Sequence, residues 1–286
     1  MDAWSAPRRP VRELRPGDHA LLEYGGAEER DHVAGGFVRD GLNAGRRVVW
    51  CEPADGGLYG IDPEPYLASG LLRLLNPEKV CRTKGGFDPD RLFARLGREI
   101  GMGERAGLTP IRMGLDLTWV LGEQGGFDLL LECERMLAGA LGSSGSVMAL
   151  CAFDRRACPA AELAALRALH APPVSADPEY EDSVLRLTRL FEPSGLAVCG
   201  EIDASRHGAL EGALKSLANG GGHELRIDLA ELRFIDFGAL RILADFAAER
   251  TLVLDPVPAQ LRTVMEIVGW TALPGLRLGD AEAMTP

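Results

Sequence analysis

Residues 224–243 read ELRIDLAELRFIDFGALRIL, and they decide how the final third of the chain folds. Apolar and polar residues alternate through 224–232, the period of a half-buried strand, and from Gly238 the spacing turns helical through LADFAAER. A strand, a tight turn and a helix N-terminus are therefore expected to meet at Asp236-Phe237-Gly238. A helix N-terminus is a prepared anion site, because its first N–H groups lack partners and its dipole favours negative charge. Such a spot often carries a Ser or Thr hydroxyl, and here it carries Phe and Gly. Asp236 reads as the N-cap, worth about 1 kcal/mol. Phe237 either folds back on its own core or offers an apolar anchor to a partner.

Working outward, SVLRLTRLF and GLAVCGEID read as adjacent strands joined by a turn at Glu192-Pro193-Ser194-Gly195. Asp203 ends the second of them as a turn residue. A helix over 206–219, the strand 224–232, a helix over 238–250, the strand TLVLD and a helix over 258–268 complete a small ββαβαβα domain. Upstream, HALLEY (19–24), RRVVWCE (46–52), LLRLL (71–75), PIRMGLDLT (110–118) and SVMALCAFD (146–154) read as strands. Helical patterns lie between them, one over 28–43 with Gly45 as its stop and one opened by Asp88-Pro89. Repeated β–α alternation predicts an α/β domain with a mostly parallel sheet and helices on both faces. The Pro-rich, acidic APPVSADPEYED (171–182) breaks the periodicity. The expected division is an N-terminal arm (1–15), a first domain (16–174), a linker (175–183), a second domain (184–280) and a tail (281–286).

The chain has 286 residues, 46% hydrophobic and 26% charged, the composition of a globular protein long enough for two cores. Its net charge of −11 is spread over both halves, which argues against direct DNA or RNA binding. The six cysteines form no CxxC pair, and Cys51, Cys151 and Cys199 sit in apolar runs as small core residues. With no apolar leader at its start and no membrane-length apolar run, the chain is expected in the cytosol. His19, His32 and His170 are far apart along the chain, so neither a metal nor a cofactor is expected.

The second half resembles the STAS domain of bacterial anti-sigma factor antagonists. The resemblance rests on GEIDASRHGALEGAL (200–214) and LRIDLAELRFIDFGALRIL (225–243), the latter similar to the family's Asp-Leu…Phe-Ile-Asp-Ser-Ser-Gly-Leu signature. In that family a Ser at the helix N-terminus is phosphorylated by a cognate kinase that is itself an anti-sigma factor, and the added charge disrupts docking. Matched residue by residue, Asp236 is the signature Asp, Phe237 and Gly238 stand at the two Ser positions, and Ala239 stands at the Gly. The resemblance implies a partner surface at Asp203, Asp236, Phe237, Gly238 and Ala239, and no phosphoryl acceptor at the usual place.

The segment 19–53 resembles the opening strand, loop, helix and strand of a RecA- or KaiC-like domain. It lacks the phosphate loop GxxxxGK[ST], whose amides, Lys and hydroxyl hold phosphates and magnesium. Counting from Gly25, it places Arg30, Asp31 and His32 at the Gly-Lys-Ser/Thr positions, and Glu28 and Glu29 would turn carboxylates toward the phosphates. No ATP hydrolysis is expected. With IRMGLDLTWVL (111–121), LECERML (131–137), LCAFDRRACP (150–159) and LRALHAPPV (166–174), residues 16–174 resemble the MEDS domain, a sensory module of DcmR-type regulators. That resemblance implies a small organic ligand as a class. A pocket outside the carboxyl ends of the parallel strands would be rimmed by Tyr24, Gly25, Gly26, His32, Glu52, Asp116, Trp119, Glu134, Asp154 and Arg155. Arg112 either joins that ligand site or pairs with Glu134.

Together these readings predict a non-enzymatic bacterial signalling regulator, a sensor fused to a STAS domain that binds an anti-sigma factor or serine-kinase-type protein. Such a protein would bind no nucleic acid or membrane and has room for a homodimer. Two alternatives stand beside it: a docking scaffold with no small-molecule ligand, and a divergent nucleotide-binding enzyme using Asp116, Glu134 and Asp154.

Overall fold

The structure is a computed structural model that describes residues 8–52, 60–142, 144–171, 173–218 and 223–279. The expected tail (281–286) lies outside the described residues. Contacts divide the chain into two units, Met1–Ala176 and Asp177–Pro286.

The first unit follows the β–α alternation of its sequence. Its elements are β1 (His19–Tyr24), α1 (Ala27–Asn43), β2 (Val48–Cys51), α2 (Glu64–Ser69), β3 (Leu72–Leu75), α3 (Pro77–Cys81), α4 (Pro89–Arg105), β4 (Ile111–Asp116), α5 (Gly126–Leu141), β5 (Val147–Asp154) and α6 (Ala160–Leu169). The strands form one sheet in the order β1-β5-β4-β2-β3, and every pair is parallel. Asp88 caps α4 by accepting from the Arg91 N–H, with Pro89 at the first helical position, so the Asp-Pro signal is used as the sequence predicts.

Side-chain parity sorts the sheet into two faces. Leu21, Val49, Met113, Leu115, Ala149 and Phe153 face α4, α5 and α6, packing on Leu92, Leu96, Leu130, Leu137 and Leu166 in one buried cluster. Each such Leu, Val, Met or Phe side chain contributes about 1.5–3 kcal/mol on leaving water. Intervening residues turn to the other face. There the fully buried Trp50 lies so close over Gly114 that a Cβ on residue 114 would stand 1.9 Å from the indole. Arg112 also points to this face, donating to the Phe37 carbonyl at 2.9 Å with its guanidinium 5.0 Å from the Phe37 ring centre.

The second unit contains β6 (Tyr180–Glu181), β7 (Leu185–Phe191), β8 (Ser194–Ile202), α7 (His207–Ala218), β9 (Glu224–Ile235), α8 (Phe237–Ala247), β10 (Thr251–Asp255), α9 (Ala259–Ile267) and β11 (Leu276–Leu278). The sheet runs in numerical order from β6 to β11; β6-β7 and β7-β8 are antiparallel and the remaining pairs parallel. Leu187, Leu196, Val198, Leu225 and Ile227 meet Leu210 and Leu214 of α7 and Leu240 and Leu243 of α8. Short edge strands β6 and β11 extend the predicted ββαβαβα order.

Two expectations differ in detail. The described residues of the expected arm and linker carry pairing: Arg9–Pro10 pairs in parallel with Val174–Ser175, and Tyr180–Glu181 joins the second sheet. Cys199 is half-buried rather than core, because parity on β8 turns it away from the residues that pack on α7. Cys51 and Cys151 are fully buried as expected.

Candidate functional site

In the second unit, β9 ends at Ile235 and Asp236 caps α8, its Oδ1 accepting from the Ala239 N–H at 2.8 Å. The same oxygen lies 2.8 Å from Nε2 of His207, the first residue of α7. Burial pushes the Asp236 carboxyl up, but the Ala239 N–H and His207 outweigh it and hold it below the usual carboxylate range. The imidazole fills the space over Gly238: a Cβ there would stand 2.3 Å from Cε1 and 2.9 Å from Nε2. Phe237 is 57% exposed and stacks on Trp270 with ring centres 5.1 Å apart. It borders a groove of about 500 Å³ whose other walls include Leu232, Phe234, Ile235, Leu261 and Val264.

Of the other residues expected at this surface, Asp203 acts as the turn residue of the sequence reading. It accepts from the Ser205 N–H and is gripped by Arg206, which also reaches Asp182. Ala239 is fully buried; only its N–H serves the turn, because the first turn of α8 directs this side chain into the core.

In the first unit, the carboxyl ends of β1, β4 and β5 gather most of the predicted rim. Tyr24 donates its hydroxyl to Asp116 at 2.9 Å, Asp116 accepts from the Thr118 N–H, and the Thr118 hydroxyl oxygen accepts from the Asp154 N–H. Burial and the Asp116 charge push the Tyr24 phenol up. Gly25, beside the α1 cap Gly26, donates its N–H to Glu29 at 2.8 Å, and Arg155 donates to the same Glu29 oxygen at 2.9 Å. Asp154 is held by Arg156, whose hydrogen bond is the main reason its carboxyl is lowered. Glu52 is buried just after β2, and His32 is half-buried on α1. Trp119 packs edge-on to Phe87, with ring centres 5.6 Å apart, against the core.

Arg112 and Glu134 are not on this rim. Arg112 is the second residue of β4, toward the opposite end of the strand from Asp116. Glu134 lies on the buried stripe of α5 and faces His19, the first residue of β1. The expected Arg112–Glu134 alternative gives way to Arg112 contacts with Phe37 and, at 3.9 Å, Asp40. An apolar cavity of about 230 Å³ lies near these amino-terminal strand halves, with Phe93, Leu96, Ile100, Met113, Leu137 and Val147 in its wall.

The fold also overturns the argument from histidine spacing. The His19 and His170 rings lie 4.0 Å apart, tilted by 38°, and Glu134 and Cys151 complete a buried group of four. Donor atoms from the four residues all lie within 4.8 Å of one another. This group is the donor set in the described residues able to hold a metal ion.

Among the described residues no helix is long and apolar enough to cross a membrane. No curated protein matches the chain. The family model described as "MEDS: MEthanogen/methylotroph, DcmR Sensory domain" matches residues 18–171, and the one described as "Mlab, STAS domain" matches residues 185–277. The first match spans more than half of the sequence, and it coincides with the parallel-sheet unit just described. The chain belongs to the MEDS family, with a STAS domain following its sensory domain.

Proposed function

We propose that this protein is a bacterial signalling regulator whose non-enzymatic sensory domain accompanies a STAS domain that binds an anti-sigma-factor-type partner. The observation carrying this reading is the turn at the start of α8. Where the family signature has hydroxyls, Phe237 offers an exposed ring and Gly238 lies under the His207 imidazole. Phe237, Phe234 and Val264 are all more than one-third exposed around the groove, an arrangement suited to an apolar anchor on a partner. In this reading the surface remains in its docking state whatever the kinase does.

The sensory half is supported by the apolar cavity of about 230 Å³, room for a compact organic molecule little larger than the benzene that an apolar cavity of about 150 Å³ can hold. The absence of NTPase activity is supported by Glu29, whose carboxylate takes the Gly25 N–H that a phosphate would need.

The test uses the full chain and the anti-sigma-type serine kinases of the same genome, each purified, with and without Mg-ATP. One of them should bind with an affinity that ATP leaves unchanged. Phe237→Asp should weaken that complex by about 2 kcal/mol or more, roughly 30-fold. Release by ATP with phosphate incorporated into the chain, or no binding by any of these kinases, refutes the reading.

A further inference from the structure

We propose that His19, Glu134, Cys151 and His170 form a binding site for one zinc ion inside the sensory domain. The four residues come from four elements: the first residue of β1, the middle of α5, the middle of β5 and the residue that ends α6. Parity puts His19 with Leu21, and Cys151 with Ala149 and Phe153, on the face that α5 and α6 cover. The site stands independently of the partner proposed for the STAS domain.

The hydrogen bonding is unusual for a metal-free polar network. His19 Nε2 lies 3.1 Å from Glu134 Oε2, His170 Nε2 lies 3.2 Å from that same oxygen, and Cys151 Sγ lies 3.4 Å from it. Three groups converge on one oxygen, while Oε1 of the same wholly buried carboxylate has no hydrogen-bond partner. A network built only for hydrogen bonding would divide its donors between the two oxygens, since leaving one dry costs about 1–3 kcal/mol. His170 Nδ1 lies 2.7 Å from the Leu166 carbonyl, which can only accept, so Nδ1 carries a proton. With Nδ1 engaged by that carbonyl, Nε2 is the ring nitrogen turned toward Glu134, and its lone pair is the one a metal ion at the centre of the group would take. The carbonyl behind His170 is the kind of outer partner that orients a metal-bound imidazole.

Four of the six donor–donor edges match a tetrahedral ion, and the whole set lies within 4.8 Å, so binding would draw the widest edge in. Zinc bonds of about 2.0–2.1 Å to nitrogen and oxygen and about 2.3 Å to sulfur give tetrahedron edges of about 3.3 Å, or about 3.6 Å where sulfur takes part. The observed edges are 3.1, 3.2 and 3.4 Å around Glu134 Oε2, and 3.4 Å between Cys151 Sγ and His19 Nε2. Imidazole and thiolate donors exclude magnesium and calcium, which take oxygen ligands. Charge also balances. On binding, the Cys151 thiol loses its proton to solvent as the sulfur–metal bond forms, so thiolate and carboxylate together neutralise a divalent ion. Four protein donors make a closed site, which ties the first strand of the domain to its last helix and activates no water.

The experiment uses the full-length chain purified without a metal-binding tag. Elemental analysis should find about one zinc per chain. After chelation, titration with Co²⁺ should saturate at the same stoichiometry, with visible bands of tetrahedral cobalt and a near-ultraviolet thiolate-to-cobalt band. Cys151→Ser should abolish the thiolate band and weaken binding by about 100-fold or more, past the 10–100-fold that loss of an outer partner costs. Should that variant not fold, the wild-type result still decides. A folded chain that retains no zinc, gives no thiolate band and melts at the same temperature in zinc and in chelator overturns the site. A cobalt spectrum unchanged by a folded Cys151→Ser overturns it as well.

Discussion

Replacing Gly238 by Ser would place a hydroxyl at the start of α8, and the structure predicts that His207 resists it. The new Cβ would lie 2.3 Å from His207 Cε1, more than 1 Å inside the usual carbon–carbon separation of about 3.5–4.0 Å. Keeping the ring in place costs about 1–3 kcal/mol of overpacking. Swinging it away gives up the 2.8 Å contact with Asp236, a loss of about 0.5–1.5 kcal/mol if the imidazole is neutral. Helix propensity returns about 0.5 kcal/mol when Gly becomes Ser. The cheaper route sets the net expectation, a loss of up to about 1 kcal/mol for Gly238→Ser, turning into a gain of about 0.5 kcal/mol when His207→Ala is also present. Trp270 is the sole tryptophan of residues 177–286 and stacks on Phe237, so fluorotryptophan NMR during urea unfolding reports this unit alone. A coupling between Gly238→Ser and His207→Ala below about 0.5 kcal/mol refutes the reasoning.

Two further outcomes follow from close approach and from charge. Gly114→Ala puts its Cβ 1.9 Å from the Trp50 ring and should cost about 3 kcal/mol or more in chemical denaturation, whereas Gly139→Ala, with nothing within 4 Å, should be neutral or stabilising. Asp182 is held at about 2 by the N–H groups of Leu185 and Val184, so its stabilisation is complete above the unfolded value of about 3.9 and disappears as pH falls through about 2; melting of the second unit followed between those limits should flatten in Asp182→Asn.

The layout of the fold was legible because each element carries its own signal. The apolar run VMALCAFD reads as a strand, and Asp88-Pro89 as the opening of a helix, and both are so in the structure. The turn at Asp236 was legible for the same reason, since an N-cap is a local device. His207 was not legible at that turn. It precedes Asp236 by 29 positions, and only the packing of α7 beside α8 lays its ring on Gly238. The buried donor group was written in fragments. Glu134 falls on the stripe of Leu130, Leu137 and Leu141, and an acid on an apolar stripe must have a partner. His19 and Cys151 share strand parity. The fragments meet only because β1 lies beside β5, a neighbour relation that strand patterns leave open. Glu134 was placed with the strand-end residues because its helix was legible and its depth in the domain was not.

Glu29 and His207 solve one physical problem in two different folds. Each unit brings a strand into a helix N-terminus, where free N–H groups invite an anion. In the first unit the invitation is taken by the chain itself, because Glu29 accepts from Gly25 and is paired with Arg155 at 2.9 Å, both side chains largely buried. A nucleotide phosphate would have to break that pair, and breaking a buried ion pair costs about 3–5 kcal/mol. A ligand that would bind a vacant cradle at about 1 μM, or −8.2 kcal/mol, would fall to about millimolar. In the second unit Asp236 takes the N–H of Ala239, and the imidazole takes the volume that a side-chain hydroxyl would occupy. Both anion sites thus keep their backbone geometry while carboxylates of the same chain use their N–H groups. In the proposed signalling reading neither turn takes phosphate, and what varies is occupancy of the apolar cavity and of the groove beside Phe237.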